Sequence, residues 1–326
     1  MQRRTFCLGA LGAAGLAFRS LAQAADPYPS RAVRIVVPYA AGGGPDILVR
    51  QFGPRLSKAM GQPIVVENKV GAGGVLAAQS VAQAAPDGYT VLLGSNSHLI
   101  QKILQPRLAF DPIQDFVPVT VIASSPTVLV VSSKSPYHTV QDLADALRAH
   151  PGEMNYASGG VGSGAHLGGA TFVSLLKADA VHIPFKGSVE IPVSLTRGDT
   201  DFAFTIAGTA IPQVQSGQLR ALAVTSAEPL AELPGVPPLH QLLHSDLAIQ
   251  EFWFSFWLPR NSPQGAVDTL YRATTSALLD PEVKTLFEAA GNRVIRSDSP
   301  QAAAEFVRSE QRKWKEIIKL TGVTAG

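Results

Sequence analysis

The chain has 326 residues, 46% hydrophobic and 16% charged, which is long enough for two packed cores and too apolar for a disordered chain. Its formal charge of +2 is an N-terminal effect, because Arg3, Arg4 and Arg19 precede any acidic residue; the rest sets 24 basic against 25 acidic side chains, a net of about −1. A near-neutral body without a basic stripe excludes nucleic acid and an anionic membrane surface as partners.

Residues 1–24 read as a cleaved export signal: Arg3-Arg4, an apolar run over residues 6–18, then the small residues of Ala22-Gln23-Ala24. Arg3-Arg4-Thr5-Phe6-Cys7-Leu8 also resembles a twin-arginine signal, so either the Sec or the twin-arginine route leads to the expected compartment, the periplasm. Cys7 is the single cysteine. The mature chain is therefore expected to carry no disulfide, no Cys-ligated metal and no cysteine nucleophile. No later stretch approaches about 20 uninterrupted apolar residues, so a soluble mature protein is expected.

From Arg31 onward, short apolar runs alternate with amphipathic stretches, the pattern of βα units around a mostly parallel sheet. Strands are expected over 34–39, 64–67 and 89–94. The first is followed by Gly42-Gly43-Gly44-Pro45-Asp46 and a helix through Met60, with a kink at Gly53-Pro54. A turn over 71–74 opens a helix over 75–84. Apolar runs over 117–122 and 128–131, separated by Ser124-Ser125-Pro126, mark a first crossing between lobes. Helices are then expected over 140–150, 167–177 and 189–196, and strands over 154–157, 180–184, 201–205 and 221–225. The aromatic run over 252–258 marks the return crossing, and helices over 264–279 and 301–320 finish the chain. This predicts a two-lobed α/β fold with two crossover segments: residues 25–125 plus 249–326 as lobe one and residues 126–248 as lobe two.

Two Gly-rich loops each follow an expected strand and open an expected helix: Tyr39-Ala40-Ala41-Gly42-Gly43-Gly44, and Ser158-Gly159-Gly160-Val161-Gly162-Ser163-Gly164. Free amides and the positive helix end favour a carboxylate there, and glycine permits close approach. Each loop alone reads equally well as a tight turn. Gly94-Ser95-Asn96-Ser97-His98 places short polar groups at the carboxyl edge of the sheet, either to orient a ligand or to cap a helix through Ser97 or Asn96. Lys186, in Pro184-Phe185-Lys186-Gly187, adds a cation near the cleft or a solvated surface charge. His166 is a ligand contact or a satisfied histidine.

Enzyme motifs are weak. No serine elbow or P-loop occurs, and Gly160-Val161-Gly162-Ser163-Gly164-Ala165 meets only the loose dinucleotide fingerprint. His240 and His244 have the spacing of a metal pair but lie in a Pro-rich connection without the adjacent glutamate. No cofactor and no metal are expected.

The chain resembles the periplasmic receptors of tripartite tricarboxylate transporters, the Bug family. The resemblance rests on Tyr28-Pro29-Ser30, the run from Val37 through Asp46, Val66-Glu67-Asn68-Lys69-Val70-Gly71-Ala72-Gly73-Gly74 and Ala85-Pro86-Asp87-Gly88-Tyr89-Thr90. It continues through Asn155-Tyr156-Ala157-Ser158, His182-Ile183-Pro184-Phe185-Lys186-Gly187 and the run from Leu219 through Ser226. It implies a Venus-flytrap receptor of the type II-like binding-protein fold, a monomer that gives a small carboxylate to integral-membrane permease subunits. It implies ligand contacts at Tyr39, Ala41, Gly42, Gly43, Asp46, Ser95, Asn96, Ser158, Gly159, Gly162, Ser163, His166, Phe185, Lys186 and Thr205. Two positions depart from the family pattern. Pro45 stands where the family has Thr or Ser, and Thr205-Ile206 replaces an Asp-Asn pair, which turns the expected ligand from amino-acid-like toward a plain or aromatic carboxylate. The competing readings are an exported enzyme with a nucleotide or metal in the same cleft, and a receptor that signals instead of feeding a permease.

Overall fold

The computed structural model describes residues 28–185 and 190–324; the export signal and Lys186 lie outside them. The elements follow in chain order: β1 (Val33–Val37), α1 (Gly44–Met60), β2 (Ile64–Asn68), α2 (Val75–Ala82), β3 (Thr90–Ser95), α3 (Asn96–Leu104), β4 (Phe116–Ser132), α4 (Val140–Ala149), β5 (Asn155–Ser158), α5 (Gly164–Leu176) and β6 (Val181–Pro184). After these come α6 (Ile191–Arg197), β7 (Phe202–Ile206), α7 (Ala207–Gln215), β8 (Leu219–Val224), α8 (Leu239–Leu243), β9 (Glu251–Pro259), α9 (Gln264–Leu278), α10 (Pro281–Ala289), β10 (Arg293–Val294) and α11 (Pro300–Thr321). None of the helices among the described residues is long and apolar enough to cross a membrane.

The strand order is β2-β1-β3-β9-β4-β7-β5-β6, with β8 and β10 also pairing β4. Pairings of β1 with β2 and β3, and of β5 with β6 and β7, are parallel. Every pairing that involves β4 or β9 is antiparallel. The sheet is thus mixed where a mostly parallel one was expected, because the two crossing segments run against each other and against the strands they join.

The expected break at Ser124-Ser125-Pro126 is absent. A single strand, β4, pairs β9 from Phe116 to Pro126 and then pairs β7 from Thr127 to Val131. Pro126 falls where the partner changes, so its missing N–H interrupts neither ladder. Side chains alternate along β4: Val128 and Val130 enter one core, Leu129 and Val131 another. Burial of both faces explains why this stretch reads as an unbroken apolar run. β1 divides likewise, with Val33, Ile35 and Val37 in one core and Val36 in another beside Leu92 and Trp257.

α1 continues unbroken through Gly53-Pro54. Its buried stripe of Leu48, Val49, Phe52, Leu56 and Met60 spans both sides of that pair and holds them to one core.

Candidate functional site

The two Gly-rich loops are geometric twins. Gly42 and Gly162 take φ of 78° and 74°, a left-handed conformation that glycine adopts freely. Each donates its amide to the side chain four residues on: Gly42 N to Asp46 Oδ2 at 2.8 Å, and Gly162 N to His166 Nδ1 at 3.1 Å. The next residues, Gly43 (φ −75°, ψ 162°) and Ser163 (φ −70°, ψ 159°), are the N-caps of α1 and α5.

The acceptors differ in their surroundings. Asp46 is 1% exposed and also receives Arg50 Nε at 2.9 Å and Asn68 Nδ2 at 2.8 Å. Burial raises its pKa, but the bonds from Arg50, the Gly42 amide and Asn68 outweigh this and hold it below the usual carboxylate value. His166 lies parallel to His182, with ring centroids 3.8 Å apart at 6°. Burial first, and the neighbouring His182 second, lower the His166 pKa to about 4. Burial also lowers that of His182, whose Nε2 meets Ser158 Oγ at 2.6 Å. Ser158 Oγ in turn accepts the Gly160 amide at 3.0 Å.

These bonds correct several expected roles. The Gly42 and Gly162 amides were taken to be free for a ligand, yet both are bound to the protein's own side chains, and Gly43 N bonds Ala40 O at 3.1 Å. Asp46 and His166 are loop struts with their polar atoms turned inward. Ser163 caps α5 by accepting His166 N, and Phe185 donates its amide to Ser158 O at 2.8 Å, holding the second loop from below. Thr205 is buried on β7 opposite Val128, and its Oγ1 has no partner among the described residues. Ala41 is exposed and Gly159 half-buried.

A third strand-to-helix turn joins β3 to α3. Ser95 is the cap, rather than Ser97 or Asn96, through a reciprocal box with His98; Ser95 N donates to His98 Nδ1 at 3.1 Å. Tyr39 Oη lies 2.9 Å from Ser95 Oγ, which ties the first Gly loop to this turn. Burial lowers the His98 pKa to about 4.

A side-chain cap satisfies one of the first amides of a helix and leaves the others without an intrahelical partner. The start of α3 (Asn96) and the start of α5 (Gly164) meet at one narrow seam with Thr127, Gln250 and Phe252 of the crossing segments. Second-loop glycine Gly162 also faces Leu104 and Gln101 of α3. Two positive helix ends from opposite halves of the sheet therefore converge beside the crossing strands, the arrangement that suits an anion. Among the predicted residues, the structure brings Tyr39, Ser95 and Asn96 together, and likewise Ser158, Gly162, Ser163 and His166; α3 bridges the two groups. Gln250 and Thr127 escaped sequence reasoning. Their one available signal was position, each lying next to an expected crossing.

A cavity of about 500 Å³ lies elsewhere, between the sheet and α11. Its charges are already matched: Arg293 pairs Glu251, and Lys313 Nζ lies 2.5 Å from Glu310, which also accepts the indoles of Trp253 and Trp314. None of its lining residues belongs to a helix N-terminal turn, whereas Asn96 and Gly164 at the seam do.

The mixed α/β sheet crossed twice by the chain matches the fold of solved periplasmic binding proteins such as BugD. A family model described as the tripartite tricarboxylate transporter family receptor (TctC) matches residues 48–323, and the chain belongs to that family. It is 31% identical over 300 residues to protein BugT of Bordetella pertussis, covering 91% of each chain. Among solved structures, R. palustris Rpa4515 with adipate is 29% identical with a TM-score of 0.81, over 91% of this chain and 99% of that one. MatC from Rhodopseudomonas palustris with bound malate is 31% identical with a TM-score of 0.77, over 89% and 100%. Two of these relatives hold carboxylates, adipate and malate.

Proposed function

We propose that this chain is a periplasmic, monomeric receptor, not an enzyme, that captures a small carboxylate between two lobes and delivers it to the permease subunits of a tripartite transporter. The lobes comprise residues 25–125 plus 249–326 and residues 126–248, joined at Pro126 on β4 and at the start of β9. The observation that carries this reading is the meeting of the α3 and α5 N-termini at the crossing strands. Their first-turn amides supply charge-assisted hydrogen bonds of roughly 1.5–3 kcal/mol each, and a few of these account for micromolar binding. Adipate and malate in two relatives support the ligand class, and the family description supports the transporter partner.

A thermal-shift screen of mono-, di- and tricarboxylates tests it. A ligand at a hundredfold excess over Kd should stabilise the protein by about 2.7 kcal/mol. Gly164→Val should lose that shift, because a Cβ at Gly164 would lie 2.1 Å from the Phe252 ring and push α5 off the crossing strand. Wild-type protein that responds to no carboxylate would end the proposal.

A further inference from the structure

The seam between α3 and α5 holds two buried oxygens with no partner among the described residues, Asn96 Oδ1 and Gln250 Oε1. Asn96 is 1% and Gln250 5% exposed, and both line the same seam as Gly164. Their orientation follows from their other halves. Asn96 Nδ2 donates to Glu251 O at 3.2 Å. Gln250 Nε2 donates to Leu247 O at 2.9 Å and to Thr171 Oγ1 at 2.8 Å. Flipping either amide would set oxygen against oxygen, so both free atoms are acceptors.

We infer, resting on the carboxylate-receptor reading, that the ligand carries an uncharged hydrogen-bond donor beside its carboxylate, a hydroxyl that Asn96 Oδ1 and Gln250 Oε1 receive. The helix starts call for an anion and the two carbonyl oxygens call for a donor. A hydroxyl suits them better than an ammonium, because the nearby carboxylates are committed: Glu251 to Arg293, and Asp46 to Arg50 and Asn68. An ammonium would enter a buried place with no free counter-charge.

The seam leaves no room for a water molecule as it stands. Closure without a ligand therefore strips both oxygens of any partner, a penalty that favours the open state. A hydroxycarboxylate entering while the lobes stand apart removes that penalty, and the lobes close on it with the seam wider by one hydroxyl.

Matched pairs that differ by one hydroxyl test this by titration calorimetry: malate against succinate, and citrate against tricarballylate, with aspartate as the amino counterpart. Wild type should bind the hydroxylated member of at least one pair about tenfold or more tighter. Gln250→Met and Asn96→Leu should each bring that ratio close to one. Equal affinity within both pairs, or aspartate tighter than malate, overturns the hydroxyl assignment and leaves the carboxylate receptor standing. Binding of no carboxylate at all, plain, hydroxylated or aminated, overturns both. Because the decisive comparison uses wild-type protein, a variant that fails to fold does not affect it.

Discussion

The loops at Gly42 and Gly162 share one backbone shape and differ in the chemistry that holds it. Each needs an acceptor four residues beyond a left-handed glycine, and Asp46 and His166 both qualify. Geometry therefore demands an oxygen or nitrogen lone pair at that place, while the identity of the group decides how the loop responds to its surroundings. The carboxylate is charged and anchored by Arg50 and Asn68, whose bonds help hold its pKa below the usual value. The imidazole holds its loop only while neutral, since Nδ1 cannot accept a bond once protonated.

The sharpest way to break this comparison is Asp46→Ala. It removes the acceptor shared by the Gly42 amide, Asn68 Nδ2 and Arg50 Nε, leaving Arg50 only its bond to Asn68 Oδ1, at a cost of about 3 kcal/mol in urea unfolding. Next in size is the response to acid. An unfolded histidine takes up its proton near 6.5, whereas His166 in the folded chain does so near 4. Between those values the unfolded state binds more protons, so stability is complete above about pH 6.5 and falls with pH, by about 2 kcal/mol at pH 5 for this one group. His98 contributes with the same sign, so wild type alone cannot apportion the loss. His166→Gln keeps a neutral acceptor and removes the titration; its urea midpoint should drop less between pH 7 and pH 5 than that of wild type. Identical drops would show that the imidazole does not carry the acid sensitivity of the second loop.

Much of this frame was readable from residue order. The strand-to-helix turns and the return of the chain at the aromatic run followed from Gly spacing and apolar periodicity, and the family followed from a resemblance carried by ordered motifs such as the run from Val37 through Asp46. What escaped has physical causes. α7 follows β7 with no intervening turn and contains Pro212, so no punctuation separates helix from strand. β10 has two residues and exists through pairing with Ala123 and Ser124, a contact no local pattern announces. In the site, the loops were located correctly but their amides were wrongly taken as free. The shared spacing Gly42-x-Gly44-x-Asp46 and Gly162-x-Gly164-x-His166 could have revealed the struts, since a buried polar group in the first turn of a helix needs a partner. Gln250 could not have been found this way, because its role depends on two partners distant in sequence, Thr171 and Thr225.

The smallest expected effect concerns how the second imidazole tolerates what the first cannot. Ser158 Oγ both accepts and donates: it receives the Gly160 amide, lies 3.1 Å from Gly160 O and meets His182 Nε2. When His182 gains a proton, Nε2 becomes the donor and the serine proton turns to Gly160 O, so no bond in the turn is lost. Ser158→Ala removes that adaptable link and leaves the Gly160 amide without its acceptor, which should lower stability by about 1 kcal/mol at pH 7. At a pH low enough to charge His182 the variant should lose more than wild type does, because the imidazolium then has no hydroxyl to receive its proton. The same cost at both pH values would show that the serine merely shapes the turn and that His182 does not change its bonding as it titrates.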